Sequence, residues 1–545
     1  MKQIEGNIVD IDRKQIFPGT VVIENGRIVS IFENSGKQYS TYIAPGFIDA
    51  HVHIESSMLT PVEFSKVVIK KGTIAVVNDP HEIANVLGME GINFMVENSQ
   101  YSQIKIFFTI PSCVPSTPFD CSGGKIDAKD IEYLAKSGLF IGLSEMMNIP
   151  GVIHKDPEVC AKLKIAQQHN FIIDGHAPLL SGDDLKKYIE AGISTDHESS
   201  ELKEALEKIH FGMKVLIREG SAAKNYEALK SIIASHPDDV MFCTDDSHPG
   251  DLLCLGHIDK IVKKAIRDGF DLFTALKIAA INPVRYYHLD VGTLHVGDRA
   301  DFVVFENLKD FKVSSAYING EERYNASREN AFLSNEPIYL DLKKLNKFHC
   351  KEISVSDLRK PQRDHITCIK VTDHELVTEK IIFPLSESVD NLQSDLDRDI
   401  LKIVYLNRYE DKSPQIAYIH GMGLKEGAFA GSISHDSHNI IAVGTNDSDI
   451  TTAINCLIRE KGGLIAVSGD HLQTLPLPIA GIMTDRTAEE VAVIWEQLIE
   501  ILHKRGCFLD SPFMTLSFMS LIVIPELKIG EEGLFEFSKF SFISD

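Results

Sequence analysis

The stretch "PGFIDAHVHIESSM" (residues 45–58) places two histidines, one residue apart, at the end of an apolar run. Alternate side chains of a β-strand point to the same face. If residues 46–54 are extended, His51 and His53 project together, with Asp49 and Glu55 beside them. Two imidazoles on one face suit a metal ion, but this stretch alone is explained equally well by two polar residues at a strand end.

Eight apolar runs, of which this is the first, alternate with amphipathic segments. The runs cover residues 46–54, 72–79, 104–110, 139–145, 171–177, 192–198, 213–219 and 240–246. The segment "DPEVCAKLKIAQQHN" lies between the fourth and fifth runs. In it, Asp156 and Pro157 have the order of an N-cap and a first helical residue. This alternation predicts an α/β fold, and we expect a (β/α)8 TIM-like barrel, with a doubly wound open sheet as the competing architecture.

The segments that flank the eight runs have a different pattern of apolar and polar residues. Residues 1–45 alternate apolar and polar residues around Asn25-Gly26, a hairpin turn signal, and residues 292–307 and 313–324 resemble them. We expect residues 1–45 and 288–335 to form one small β-sandwich, and residues 46–287 to form the catalytic barrel. Residues 340–545 mix strands and helices, which predicts an additional C-terminal α/β domain, for which a lid is our expectation.

Composition narrows the class of protein. The 545 residues carry a formal charge of −23, and no Lys/Arg cluster is long enough for a nucleic-acid interface. The nine cysteines form no CxxC pair, the N-terminal stretch lacks an apolar signal region, and no run approaches the roughly 18 apolar residues of a membrane span. We expect a cytoplasmic protein with a small-molecule substrate and no nucleic-acid or membrane partner. A homodimer is the expectation from base rates alone.

The candidate functional residues lie at the carboxyl ends of the eight runs. Barrel active sites form at the carboxyl ends of the strands, and polar residues collect there on most strands: His51, His53, Glu55, Asn78, Asp79, His81, Glu82, Glu145, Asp174, His176, Asp196, His197, Arg218, Glu219, Asp245 and Asp246. Such repetition favours a metal site over ordinary loop polarity. Imidazole and carboxylate ligands suit zinc, manganese or iron, and the number of donors predicts two ions around an activated water.

Several of these stretches resemble a known family. "PGFIDAHVHIESSMLTP", "VVNDPHEIANVLG", "GLSEMMNIPGV", "DGHAP", "STDHES" and "CTDDSHP" are similar to the bacterial adenine deaminases of the amidohydrolase superfamily, and "IHGMGLKEGAFAGSISHDSHNI" and "PLPIAGIMTD" resemble their C-terminal domain. The resemblance covers nearly the whole chain. The HxH pair with an aspartate after the eighth strand is typical of the superfamily, whereas "HIESSM", "NDPHEI" and "SEMMN" are typical of adenine deaminases.

The resemblance implies a set of metal ligands. The histidines of the first strand would bind one ion with Asp245, with Asp246 in reserve, and the histidines of the fifth and sixth strands would bind the second. Glu145 stands where many members of the superfamily have a carboxylated lysine, and its carboxylate would bridge the two ions. The implied ligands are His51, His53, Glu145, His176, His197 and Asp245, and the family tilts the choice of ion toward Mn²⁺ or Fe²⁺, with Zn²⁺ possible.

The resemblance also implies a reaction. A bridging hydroxide would attack C6 of adenine, giving hypoxanthine and ammonia, with Asp245 as the proton shuttle between the water and the leaving amine. The candidates for the acid that faces the ring nitrogens are Glu55, Asp79, His81 and Glu82, and those for binding the purine are Arg218 and Asp246. Two alternatives stay open: an amidohydrolase that opens a cyclic amide, and a non-catalytic scaffold with the same fold. His420, His435, His438 and His471 are expected to be surface residues.

Overall fold

The chain begins in a sheet to which it later returns. The computed structural model describes residues 1–221, 223–328, 332, 345–361, 364–385 and 387–543. The first strands are β1 (Lys2–Asp10), β2 (Gln15–Glu24), β3 (Arg27–Glu33) and β4 (Tyr42–Ala44). Asn25 and Gly26 connect β2 to β3 with φ angles of 50° and 75°. Positive φ at both central residues is what a tight two-residue hairpin needs, so the predicted turn is confirmed.

Eight parallel strands follow, and each falls on one of the eight apolar runs. They are β5 (Phe47–Val52), β6 (Thr73–Asn78), β7 (Lys105–Ile110), β8 (Phe140–Met146), β9 (Ile172–Gly175), β10 (Thr195–Asp196), β11 (Lys214–Arg218) and β12 (Val240–Cys243). Strands β5 to β9 form one parallel sheet, and β10 to β12 form another. Their side chains are almost all buried, as expected of parallel strands that are covered on both faces.

Backbone contacts join these two sheets. Ile173 of β9 forms a parallel bridge with Ile193, just before β10, and Val52 of β5 forms one with Asp245, just after β12. The amide of Asp245 donates to the carbonyl of His51 at 3.0 Å, and the amide of His53 donates to the carbonyl of Asp245 at 3.2 Å. The first and last of the eight strands therefore meet at their carboxyl ends, beside the HxH pair. The predicted α/β class is confirmed.

Helices fill the connections between the parallel strands. They are α1 (Pro61–Ile69), α2 (His81–Leu87), α3 (Met89–Ser99), α4 (Ala128–Lys136), α5 (Ile149–Ile153), α6 (Pro157–Gln168), α7 (Gly182–Glu190), α8 (Leu202–His210), α9 (Tyr226–Leu229), α10 (Ile232–Ser235), α11 (Pro249–Cys254), α12 (Ile258–Arg267), α13 (Leu272–Leu276) and α14 (Asn282–Tyr287), with a 3₁₀ turn at Ile54–Ser57 and a π turn at Lys277–Ile281. The side chain of Asp156 accepts hydrogen bonds from the amides of Glu158 and Val159, which confirms the predicted N-cap of α6.

The chain then returns to its first sheet through β13 (Phe302–Phe305), β14 (Val313–Ile318) and β15 (Glu321–Asn325). The strand order is β15-β14-β13-β4-β1-β2-β3, with β13 antiparallel to β4. The two flanks therefore pair with each other, as a single seven-stranded sheet. The far end of the predicted segment 288–335 lies partly outside the described residues.

A second, larger sheet follows. Its strands are β16 (His365–Lys370), β17 (Glu379–Pro384), β18 (Ile400–Leu406), β19 (Gln415–His420), β20 (Ala428–Gly431), β21 (Ile440–Gly444), β22 (Gly463–Ser468) and β23 (His471–Pro476). Helices α15 (Asp447–Glu460), α16 (Ala488–Lys504) and α17 (Pro512–Ser517) accompany it, and β24 (Leu527–Gly530), β25 (Gly533–Glu536) and β26 (Ser541–Phe542) form a small sheet. Single 3₁₀ turns lie at Val355–Leu358, Phe518–Ser520 and Phe537–Lys539. The predicted boundary at residue 340 lies outside the described residues.

The parallel strands and the C-terminal region share one apolar core. A continuous cluster of buried residues runs from Ile48 and Val76 of the parallel strands to Val491 of α16 and Phe513 of α17. The C-terminal region therefore packs directly on the part of the chain that carries the strand-end residues. Within the described residues, no helix is long and apolar enough to cross a membrane.

Candidate active site

The six predicted metal ligands come together at the carboxyl ends of the parallel strands. His51 lies in β5 and Glu145 in β8, while the others lie in the residues that follow β5, β9, β10 and β12. Each of the six is at most 5% exposed. The full set is His51, His53, Glu145, His176, His197 and Asp245. Parallel strands align their carboxyl ends at one edge, which is why residues distant in sequence meet here.

Glu145 lies between two pairs of histidines. Its Oε1 is 3.3 Å from Nε2 of His53. Its Oε2 is 3.3 Å from Nε2 of His197 and 2.9 Å from Nδ1 of His176. Burial raises the pKa of the Glu145 carboxyl, but the neighbouring histidines outweigh it and hold the pKa well below its ordinary value. Each oxygen of one ionised carboxylate therefore faces a different histidine pair.

The HxH pair is arranged as metal ligands are. The Nε2 atoms of His51 and His53 are 3.2 Å apart, and Oδ1 of Asp245 is 3.0 Å from Nε2 of His53. Nδ1 of His53 lies 3.0 Å from the carbonyl oxygen of Asp79. A carbonyl can only accept, so Nδ1 carries the proton and, in the neutral ring, Nε2 keeps a lone pair for an ion. Burial, together with the adjacent imidazoles of His197 and His53, lowers the pKa of His51 well below its usual value, which favours the same neutral form.

This donor set fits a divalent cation. Buried groups of three or more imidazole and carboxylate atoms lie within 4.8 Å of one another, and Nε2 of His176 is buried with no hydrogen-bond partner. Buried polar atoms normally have partners. Close imidazole nitrogens beside carboxylates are instead the arrangement that zinc, manganese and iron select. The site is therefore a divalent metal site.

Arg218, which the sequence indicates as a candidate for binding the purine, is held between two acids. Its guanidinium contacts the carboxylates of Glu198 and Asp245, and Nη2 lies 3.0 Å from Oε2 of Glu198. Burial raises the pKa of Asp245, but Arg218, His53 and His197 together outweigh it and hold that pKa well below its ordinary value. Glu198 did not emerge from the sequence as a site residue, although it directly follows His197 in "TDHES".

The other predicted acids lie around this centre. Nδ1 of His81 is 2.9 Å from Oδ2 of Asp79 and 3.5 Å from Oε1 of Glu145. Glu55 accepts a hydrogen bond from a backbone amide of α2, and burial raises its pKa to about 7. Asp246 accepts from the hydroxyl of Ser56 at 2.5 Å, and burial raises its pKa. His81 and Asp246 line the central cavity, whereas Glu55 and Asp79 lie behind it.

The fourth predicted acid, Glu82, is held by the C-terminal region. Its Oε1 is 2.6 Å from Nδ1 of His435, and its Oε2 contacts Nε2 of His438. Burial lowers the pKa of His435, but Glu82 outweighs it and raises that pKa to about 9, so His435 is cationic at neutral pH. Burial lowers the pKa of His438 to about 4, so it is neutral.

The prediction that His435 and His438 are surface residues is wrong, since they are 2% and 1% exposed. Their loop packs against the strand ends instead of facing water. His420 and His471, from the same prediction, are half-buried and exposed respectively.

One cavity unites the two regions. Its lining includes the predicted ligands other than His51, together with His81, Glu82, Met147, Glu198, Arg218 and Asp246. From the C-terminal region it includes Leu376, His435, Asp436, Phe518, Leu521 and Ile524. The C-terminal residues were missed by the sequence reasoning. The density of polar residues in "SHDSHN" (434–439) is the signal that could have pointed to two of them.

The fold and this metal centre place the chain in a recognised class. The model of the amidohydrolase family matches residues 42–323, so the chain belongs to that family. The model of the adenine deaminase C-terminal domain matches residues 375–541. The chain is 48% identical to an adenine deaminase of Methanosarcina mazei, with 100% of this chain and 99% of that protein covered.

Further relatives agree. Adenine deaminases of a Sulfurovum species and of Borreliella afzelii are 47% and 44% identical, and in both cases 99% of this chain and 99% of the relative is covered. The chain is therefore a member of the adenine deaminase family, a group of metal-dependent hydrolases within the amidohydrolases.

Proposed function

We propose that this enzyme hydrolyses adenine to hypoxanthine and ammonia at a centre that binds two divalent ions. The observation that carries the proposal is the position of Glu145 between two histidine pairs. Its Oε1 lies 3.3 Å from Nε2 of His53, and its Oε2 lies 3.3 Å from Nε2 of His197. One pair, with Asp245, would hold the first ion, and the other pair, at residues 176 and 197, would hold the second. The family match and the full-length relatives support adenine as the substrate.

Two ions held in this way would lower the pKa of a shared water and supply a hydroxide nucleophile near neutral pH. Manganese or iron is our choice because the resemblance to the adenine deaminase family favours them; zinc is the alternative, since imidazole and carboxylate donors accept all three ions. The eight parallel strands would close into a (β/α)8 barrel through the bridges beside β5 and β10. The seven-stranded sheet of the two flanks would fold as the small β-sandwich, and the C-terminal region would be a separate domain that caps the barrel.

Asp245 would act as the proton shuttle. Its Oδ1 lies 3.0 Å from Nε2 of His53, and its other oxygen contacts Arg218. It can take a proton from the attacking water and pass it to the departing amine, so that ammonia leaves as a neutral molecule. We assign Arg218 to orienting the carboxylates of Asp245 and Glu198, since its guanidinium is already paired with both.

Among the four candidate acids, the geometry favours His81. Asp79 accepts from Nδ1 of His81 and fixes the ring, so that Nε2 is directed to the cavity side. Glu82 is engaged by two histidines, and Glu55 lies outside the cavity lining. We therefore assign His81, with Asp79 behind it, to holding a proton at the substrate. Asp246, which lines the cavity, stays a candidate for binding the purine.

The composition of the chain bears on its cellular compartment. Nine free thiols suit a reducing compartment, which supports the cytoplasm. A homodimer is the commonest assembly for an enzyme of this kind and can be checked by light scattering.

The test is an ammonia-release assay on the manganese-loaded enzyme with adenine, guanine, cytosine and a cyclic amide such as dihydroorotate. We expect ammonia from adenine alone. Bound metal without ammonia from adenine, together with ring opening of the cyclic amide, would show a different amidohydrolase activity. A protein that binds no metal would instead be the non-catalytic scaffold.

A further inference from the structure

The central cavity has a second wall that the metal ligands do not form. Six side chains of the C-terminal region make this wall: Leu376, His435, Asp436, Phe518, Leu521 and Ile524. Four of the six are apolar, and an apolar surface suits a flat aromatic ring. A ligand in such a pocket is oriented by a few well-placed polar groups. Of these six residues, only His435 and Asp436 have polar side chains.

His435 is already engaged. Its Nδ1 lies 2.6 Å from the carboxylate of Glu82, and its ring stacks on Phe518 with 4.5 Å between ring centroids. Its role is therefore to hold the wall in place. Asp436 is left as the polar group of this wall that is free to contact a substrate.

The Asp436 carboxyl is buried and incompletely paired. The residue is 4% exposed, and its Oδ2 has no hydrogen-bond partner. Its Oδ1 is 3.9 Å from Nε2 of His81, too far for a hydrogen bond. Glu55 and Asp79 also have a carboxylate oxygen without a hydrogen-bond partner, but neither lines the cavity. Glu82 lines the cavity, and its corresponding oxygen contacts Nε2 of His438. A buried carboxyl without partners is costly, which is a reason to expect that a ligand completes it.

The loop that carries Asp436 is fixed on both sides. The hydroxyls of Ser434 and Ser520 lie 2.5 Å apart, and the amide of His435 donates to the carbonyl of Ser517 at 3.1 Å. On the other side, the hydroxyl of Tyr409 donates to the carbonyl of Ser437 at 2.6 Å. The backbone at Asp436 is thus held before any ligand arrives, which lowers the entropic cost of recognition.

We propose that Asp436 recognises the purine ring, with its carboxyl sharing a hydrogen bond with one ring nitrogen of adenine. A neutral carboxyl would donate to an unprotonated nitrogen, and an ionised one would accept from a ring N–H. The contribution of the C-terminal region to the reaction is then the wall that orients the base against the metal centre. This inference rests on the proposed function, because it takes adenine as the ligand.

The test pairs a residue change with atom changes in the ligand. The KM of adenine and the inhibition constants of 1-, 3-, 7- and 9-deazaadenine are measured on the metal-loaded, full-length wild type and on Asp436→Ala. In each analogue one ring nitrogen is replaced by CH. We expect the wild type to bind one analogue about ten- to a hundredfold more weakly than adenine because of this contact. In Asp436→Ala that penalty disappears, and adenine itself binds more weakly by the same factor.

Controls separate recognition from folding. Asp470→Ala removes an exposed carboxylate in the turn before β23 and should leave all the constants unchanged. Metal content and thermal midpoint are measured for each variant. Asp436→Leu, which has a similar branched shape but no hydrogen-bonding group, replaces the alanine variant if that one does not fold.

The outcomes are distinct. If adenine and the four analogues keep their wild-type relative affinities in the Asp436 variant, Asp436 does not touch the ring and the inference is wrong. If the wild type neither releases ammonia from adenine nor binds any purine, the proposed function is wrong and the inference is overturned with it.

Discussion

Lys528 provides a quantitative test of how the C-terminal region is packed. It lies in β24 and is fully buried, and its Nζ donates to the carbonyl of Leu376 at 2.8 Å. Leu376 in turn lines the active-site cavity. Burial disfavours the charged amine and lowers the pKa of Lys528 from 10.5 to about 7. We expect Lys528→Met to stabilise the enzyme at neutral pH.

Proton linkage gives the sign and the size of this change in the free energy of unfolding. The folded pKa is below the unfolded value, so the unfolded chain binds more protons between pH 7 and 10.5, and wild-type stability rises with pH in that window. The shift sets an upper limit of about 5 kcal/mol on the cost of burying the amine, of which about 4 kcal/mol applies at pH 7 and about 2 kcal/mol at pH 9. Losing the bond to Leu376 costs the methionine variant about 1–3 kcal/mol at every pH.

The methionine variant should therefore be more stable than the wild type by about 1–3 kcal/mol at pH 7 and roughly equal to it at pH 9. Urea unfolding measures this through the fluorescence of Trp495, the only tryptophan, which lies in α16. The matched control is Lys504→Met, whose side chain is 70% exposed and which should show no such difference between the two pH values. A Lys528→Met variant that is destabilised equally at pH 7 and pH 9 would refute the reasoning.

Three further predictions concern the metal centre and the structure beneath it. Glu145→Ala should lose bound metal and lower ammonia release more than a hundredfold, an estimate from the loss of an electrostatic group at the reaction centre; retention of full activity and metal content would falsify the bridging assignment. Lys208→Met breaks buried ion pairs with Asp196 (2.8 Å) and Glu204 (2.7 Å) and should destabilise the fold by about 3–5 kcal/mol in urea unfolding, whereas an unchanged midpoint would mean that these pairs contribute little. Dialysis against a chelator should abolish ammonia release and added Mn²⁺ should restore it; a chelated, metal-free enzyme that keeps its rate would contradict metal dependence.

The α/β framework was readable from the sequence because its signals are local. Each parallel strand is a short apolar run, and the residue after it points to the rim whatever the rest of the chain does. Even β10, which is only Thr195–Asp196 in the structure, was located by the run that contains it. The same rule located the polar residues at the strand ends, although it could not say which of them touch.

The C-terminal wall was not readable in this way. Hydrophobic periodicity reports which face of a strand or helix is buried, but a loop has no such period. His435 and Asp436 lie in a polar loop that contacts Glu82, which is more than three hundred positions away in the sequence. Glu198 was missed for a related reason, because its role depends on Arg218, which approaches from the next strand.

The most direct test of the central claim is an anomalous diffraction map from crystals of the Mn²⁺-loaded enzyme. Two manganese peaks should lie on opposite sides of the Glu145 carboxylate, one beside His51, His53 and Asp245 and the other beside His176 and His197. A single peak, or peaks bound by other residues, would contradict the two-ion centre from which the proposed deamination is derived.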